Sequence, residues 1–360
     1  MEAKRLYQPQ QNLSDRIPVI DLAALQDSHV DESERKRIIV DIANACKNWG
    51  AFQLVNHGIH QDVIENAREQ ARQVFELPSE TRWKAKREQG SLSGYGNGPV
   101  IGDAVDDKIV SEAITFGYPQ SEAAVIASKL WPNGNPGFGL SIDRYNADSH
   151  KLALTIMRLI VEGLQPRASL AHFQPYLTEQ FGLLRINHYP VSNHPARDIG
   201  LPPHIDDTLL TIVHQGSDVE GLELIKDGEW VSVPPRRDAL IVIVAAVCQV
   251  ITNDTYKACL HRAVPNRNKT RLSMVYSAYP PVKITITAAP EFVSHTHPPL
   301  YKPFTWSEYL RGKVRHILHP LDGLQSEKKD ADTQNPYAKS SGKGSEPLQD
   351  RGMRSEIRSY

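Results

Sequence analysis

Between positions 203 and 273, five residues have the types and spacing to hold a metal ion beside an organic acid: His204, Asp206, His261, Arg271 and Ser273. His204 and Asp206 stand two apart, just ahead of the apolar, β-branched run Thr208-Leu209-Leu210-Thr211-Ile212-Val213. On an extended chain, side chains two apart leave the same face, so an imidazole and a carboxylate can reach one point. His261 follows a second apolar run, over 239–250, and supplies a third ligand of suitable kind. Two imidazoles and a carboxylate on one side of a metal leave the opposite positions open, the arrangement of non-haem Fe(II) oxygenases. Arg271-Leu272-Ser273 repeats the spacing of two and aims a guanidinium and a hydroxyl the same way. A planar guanidinium takes a carboxylate through two parallel hydrogen bonds, and the hydroxyl adds a donor, which suits a dicarboxylic co-substrate.

Taken singly, none of these signals is specific. The chain holds 14 histidines, so a lone His-x-Asp pair arises readily by chance and reads equally as a polar surface strand. Arg271 alone reads as an ion-paired or solvated strand residue. Their order within one segment of domain size is what gives the set weight. His57, His188, His194, His214, His295 and His297 read as ordinary hydrogen-bonding residues. Two other chemistries use the same groups: a Zn²⁺ hydrolase with Arg271 on a substrate carboxylate, and a ligand-binding protein without turnover.

These residues need a scaffold, and the chain has the material for one. Its 360 residues, 40% hydrophobic with formal net charge −1, can bury a large core. The near-neutral balance argues against a nucleic-acid partner. Residues 1–11 lack an apolar signal region and no apolar run reaches the ~18–20 residues of a membrane span, so a cytoplasmic location is the default. Cys46, Cys248 and Cys259, scattered in apolar contexts, fit reduced buried thiols.

Along the chain, 17–22 reads as an opening strand and Asp31 to Glu34 as a capping box that starts a helix ending at Gly50. A strand over 51–55 and an amphipathic helix marked by Val63, Ile64, Ala67, Ala71, Val74 and Phe75 follow. The polar stretch 79–104, with its glycine cluster, reads as a mobile loop near the site. A long helix is expected over about 141–164. From Gly182 onward, short apolar strands recur between Gly, Pro, Asn and Asp, which predicts a β barrel or sandwich. An extended segment from 297 runs into a helix near Trp306, and beyond Gln325 the composition predicts disorder.

The segments Arg185-Ile186-Asn187-His188-Tyr189-Pro190, Gly200-Leu201-Pro202-Pro203-His204-Ile205-Asp206, Asp227-Gly228-Glu229-Trp230, His261-Arg262-Ala263-Val264 and Arg271-Leu272-Ser273 resemble the plant-type 2-oxoglutarate and Fe(II)-dependent dioxygenases. The run Trp49-Gly50-Ala51-Phe52-Gln53-Leu54-Val55-Asn56-His57-Gly58 is similar to the N-terminal domain of that family. The resemblance implies a mainly β fold with flanking helices: a double-stranded β-helix (jelly roll) core with an N-terminal α/β domain. It implies an N-terminal domain over 1–125, a helical connection over 126–180, the catalytic barrel with its C-terminal helix over 181–324, and a tail over 325–360.

By the same resemblance His204, Asp206 and His261 hold Fe²⁺, while Arg271 and Ser273 bind 2-oxoglutarate with Tyr189 and Asn187 close by. O₂ is the oxidant, ascorbate the reductant, and a small organic molecule the substrate; no nucleic acid or membrane partner is expected. Positions 111–115, 208–215 and 299–310 look most like the gibberellin 3-oxidases, although the scaffold also carries flavonoid, alkaloid and auxin oxidation. One departure stands out: Ala245-Ala246 occupies the place of a usual Gly-Asp. The lost carboxylate could have capped the following turn.

Overall fold

The computed structural model describes residues 17–326 apart from 27–30, 89, 90, 92, 98–108, 166, 167, 195–197, 217 and 314–320. The tail after 326 therefore lies outside the described residues, as does the end of the stretch read as a loop over 79–104.

The first elements form where the local chemistry asks for them. Strand β1 (Val19–Asp21) precedes helix α1 (Glu32–Asn48), whose first-turn amide at Ser33 is capped by the Asp31 carboxylate at 3.0 Å. Gly50 ends α1 with φ +66°, where a β-carbon would meet the Lys257 carbonyl at 2.6 Å, so a side chain is excluded by both conformation and space. Strand β2 (Ala51–Val55) leads to helix α2 (Gln61–Glu76), which buries Ile64, Ala67, Ala71, Val74 and Phe75 as the periodicity requires.

The stretch 79–104 differs from the expected loop. It holds a short helix, α3 (Ser79–Trp83), and an edge strand, β3 (Gly94–Asn97), which pairs antiparallel with β4 (Glu112–Tyr118). Tyr95, 1% exposed, bonds the Glu112 carboxylate and accepts from Arg82 Nε at 3.1 Å, so buried polar contacts hold a glycine-rich strand in place.

Helix α4 (Ala123–Leu130) precedes the long α5 (Pro136–Glu162), which begins about five residues before the predicted start because Asn135 caps the Phe138 amide and Pro136 fits the first turn. Helix α6 (Leu170–Thr178) then feeds the strands of the barrel. These are β5 (Phe181–Tyr189), β6 (Leu201–His204), β7 (Leu210–His214), β8 (Leu222–Lys226), β9 (Glu229–Ser232), β10 (Ala239–Val244), β11 (His261–Ala263) and β12 (Arg271–Tyr279). Helix α7 (Ala246–Ile251) lies between β10 and β11. Strands β13 (Thr285–Ile286) and β14 (Phe304–Thr305) pair with each other ahead of α8 (Trp306–Lys313).

Eight strands form one sheet in the order β1-β2-β10-β7-β12-β5-β4-β3, and four form a second in the order β6-β11-β8-β9. The first sheet thus joins the N-terminal strands β1 to β4 to the later strands β5, β7, β10 and β12. The sheets pack through Val213, Ile241 and Ile243 of one and Leu222, Leu224 and Val231 of the other. On its other face, Leu184, Ile186, Ile212, Met274 and Tyr276 join the core that holds Ile156, Met157 and Ile160 of α5. All six residues of β10 are buried, as expected of a strand covered on both faces. The architecture is mainly β with flanking helices, a jelly-roll core of two sheets. Among the described residues no helix is long and apolar enough to cross a membrane.

Candidate active site

Strand register assembles the site. In the smaller sheet, His261 of β11 stands opposite His204 of β6, which brings their rings to 4.2 Å between centroids. His204 Nδ1 meets the Pro202 carbonyl at 2.8 Å and His261 Nδ1 the Cys259 carbonyl at 3.0 Å. A carbonyl only accepts, so both Nδ1 atoms carry the proton and both Nε2 atoms offer a free lone pair. Those atoms point at Asp206: His204 Nε2 lies 3.4 Å from Oδ1 and His261 Nε2 3.7 Å from Oδ2. The three ligand atoms lie within 4.8 Å of one another, a donor set that fits a metal ion between them.

The electrostatics favour the form that binds metal. Burial pushes the His261 imidazole down to about 4, and the neighbouring His204 adds to this, so the ring is neutral at physiological pH. Burial alone would raise the Asp206 carboxyl, but His261, His204 and the Thr211 hydroxyl outweigh it and hold it well below the ordinary carboxylate range. Thr211 Oγ1 donates to Asp206 Oδ2 at 2.6 Å.

The backbone that carries Asp206 is tied to α7, and this accounts for Ala245-Ala246. The Ala246 amide donates to the Asp206 carbonyl at 2.9 Å, the Val247 amide to the Thr208 carbonyl at 3.0 Å, and the Ala245 amide to the Leu209 carbonyl at 3.3 Å. The amides at the start of α7 therefore find acceptors in the segment that carries Asp206, and no side-chain cap is needed.

The larger sheet contributes the side of the cavity that carries Arg271. Arg271 pairs in register with Tyr189 and Ser273 with Asn187, so period two places all four side chains on the cavity face. The Arg271 guanidinium lies over the Tyr189 ring, 5.1 Å from its centroid. It is only 2% exposed, its Nε has no hydrogen-bond partner among the described residues, and burial lowers its pKa against the opposing effect of Tyr189. A buried guanidinium with an open donor fits an anionic ligand better than a role in the core. Asn187 Nδ2 donates to Ser273 Oγ at 3.4 Å, and its Oδ1 accepts from Arg185 Nε at 2.6 Å.

All seven residues singled out from the sequence line one cavity between the two sheets. Three neighbours escaped sequence reasoning: Thr211, Arg185 and Gln215, the last of which accepts from Arg271 Nη2 at 3.4 Å. Thr211 and Arg185 obey the same period of two as Val213 and Asn187, which was the available signal.

A jelly roll with two histidines and a carboxylate at one point, and a buried arginine in the same cavity, defines the class of non-haem iron oxygenases that take an organic acid as co-substrate. Residues 180–280 match the 2OG-Fe(II) oxygenase superfamily, and residues 17–134 match the non-haem dioxygenase in morphine synthesis N-terminal family. The chain is 32% identical over 321 residues to gibberellin 3-beta-dioxygenase 1 of Arabidopsis thaliana, covering 88% of this chain and 85% of the relative. It is 33% identical over 299 residues to oxoglutarate-dependent flavonoid 7-O-demethylase 1 of Ocimum basilicum, covering 82% and 77%. The crystal structure of JOX2 in complex with 2OG, Fe and JA superposes with a TM-score of 0.74 at 29% identity, covering 86% of this chain and 89% of that one. The chain belongs to the 2OG-Fe(II) oxygenase superfamily: it is a 2-oxoglutarate-dependent dioxygenase that works with Fe(II).

Proposed function

We propose that His204, Asp206 and His261 hold Fe(II), that Arg271 and Ser273 bind the far carboxylate of 2-oxoglutarate beside Tyr189 and Asn187, and that the enzyme hydroxylates a gibberellin-type diterpenoid acid. The observation that carries the site assignment is the convergence of three metal-competent atoms within 4.8 Å in the cavity that also holds the buried Arg271. When bound, Fe(II) and 2-oxoglutarate supply the oxidative chemistry that inserts oxygen into a C–H bond and releases succinate and CO₂.

The chain's own residues do the positioning. The Pro202 and Cys259 carbonyls fix the two imidazole tautomers, and Thr211 fixes the carboxylate. Tyr189 and Gln215 hold the guanidinium, and the apolar lining at Leu201, Leu222, Val213 and Val275 keeps water from the reacting centre.

The 32% identity to a gibberellin 3-beta-dioxygenase, aligned over 88% of the chain, supports the substrate class. A second reading, oxidation of a flavonoid or another specialised metabolite by the same chemistry, draws on the 33% identity to a flavonoid 7-O-demethylase. Three buried free cysteines are consistent with a reducing cytoplasmic setting.

The test is to incubate the protein with Fe(II), ascorbate, O₂, 2-oxoglutarate and a panel of gibberellin precursors, flavonoids and phenolics. Succinate coupled to a gibberellin product that gains one oxygen is the expected result. Coupling to a flavonoid alone transfers the assignment to the second reading, and no succinate with any substrate contradicts both.

A further inference from the structure

Arg271 is held by a residue outside the metal set and outside the pair that would face 2-oxoglutarate. Gln215, 2% exposed, accepts a long hydrogen bond from Arg271 Nη2 at 3.4 Å and donates from its own Nε2 to the Val233 carbonyl at 3.1 Å. The carbonyl takes only a donor, so Val233 decides which end of the amide faces the guanidinium, and that end is the oxygen.

The backbone on which Gln215 sits is fixed as well. The Gly216 amide donates to His214 Nδ1 at 3.2 Å, and Gly216 adopts φ +73°. A β-carbon there would lie 1.9 Å from the Leu272 carbonyl oxygen, so glycine alone lets this turn lie against the strand that carries Arg271. On the opposite side, Gly221 leaves room for the arginine stem: a β-carbon there would lie 2.8 Å from Arg271 Cδ.

A buried cation can be oriented by a charged or a neutral acceptor, with different consequences. A carboxylate would form an ion pair and oppose capture of a second anion; a neutral amide fixes the direction and leaves the positive charge to the ligand.

We propose that Gln215 is a positioning residue for the co-substrate, holding Arg271 in place while leaving its charge for the far carboxylate of 2-oxoglutarate. This rests on the assignment of Arg271 made above. Gln215→Glu then places a competing carboxylate on the guanidinium, and Gln215→Met removes the acceptor at similar size without adding charge.

The test is anaerobic calorimetric titration of the Mn(II)-loaded full chain with 2-oxoglutarate, alongside steady-state kinetics. Gln215→Glu is expected to weaken 2-oxoglutarate binding about 10- to 100-fold, because its carboxylate competes for the guanidinium on the scale of a hydrogen bond to a charged group. Gln215→Met is expected to raise KM for 2-oxoglutarate several-fold with kcat held, and this variant carries the test if the glutamate variant does not fold. Binding within twofold of wild type in a folded Gln215→Glu or Gln215→Met protein would overturn the proposal, since a residue that merely fills space would give that result. Arg271→Ala in parallel separates the two levels. If it too binds 2-oxoglutarate normally, the Arg271 assignment has failed; if it alone loses binding, only the role of Gln215 has.

Discussion

Replacing Thr211 with valine should weaken metal binding although Thr211 is not a ligand. Its hydroxyl donates to Asp206 Oδ2 at 2.6 Å from a site 1% exposed, so water does not replace a lost donor there. Valine keeps the shape and removes the hydrogen bond. The nearby Thr208 hydroxyl donates to the Leu210 carbonyl at 3.3 Å and lies 3.3 Å from the Thr211 hydroxyl. A hydrogen bond to a charged group contributes about 1.5–3 kcal/mol, which corresponds to roughly 10- to 100-fold in affinity. Loss of partners that orient metal ligands falls in the same range, about 10- to 100-fold. The same hydroxyl helps hold the Asp206 carboxyl low, so the variant's pKa rises and protons compete with the metal at higher pH than in the wild type. The assay is anaerobic titration with Fe(II) or Mn(II) at pH 7 and again near pH 5, with circular dichroism to confirm the fold. A folded Thr211→Val protein that binds metal within twofold of wild type at both pH values would refute the reasoning.

Three further outcomes follow from the same structure. Arg271→Ala should raise KM for 2-oxoglutarate by on the order of 10²- to 10³-fold, the scale for truncating one partner of a buried charge pair; unchanged co-substrate kinetics would count against the assignment. Gly216→Ala should destabilise the fold by at least about 3 kcal/mol, because it joins a left-handed backbone to a clash with the Leu272 carbonyl; a denaturant midpoint near that of the wild type contradicts this. His214 is buried with its pKa pushed down to about 4, against an ordinary value of 6.5. Between those values the unfolded chain binds the proton and the folded one does not, so this residue makes stability fall as pH drops from about 6.5 to about 4, by on the order of 3 kcal/mol. Urea unfolding across that window should show the slope in the wild type and a shallower one in His214→Gln.

Much of the site was legible because it obeys the period of two. Arg271 with Ser273 and Asn187 with Tyr189 each share a strand face, Asp206 follows two residues past His204 at the end of β6, and the structure brings all six to one cavity with His261. What the pattern could not supply is register. That His204 faces His261 and Arg271 faces Tyr189 depends on pairings between segments distant in sequence. The same limit hid Gln215, whose contact with Arg271 spans 56 positions. Strand β3 escaped because its glycines and flanking charges read locally as a loop, while its stability comes from pairing with β4 and from Tyr95 bonded to Glu112 and Arg82. The loss of a carboxylate at Ala246 looked from sequence like a missing cap, and only the fold shows backbone carbonyls from 206–209 taking that role.

The central claim is that His204, Asp206 and His261 share one metal ion. Iron content per chain after anaerobic reconstitution and desalting measures this directly in the wild type and in Asp206→Ala. One Fe(II) per chain in the wild type and none retained in the folded variant is the expected result; stoichiometric iron in Asp206→Ala would contradict it.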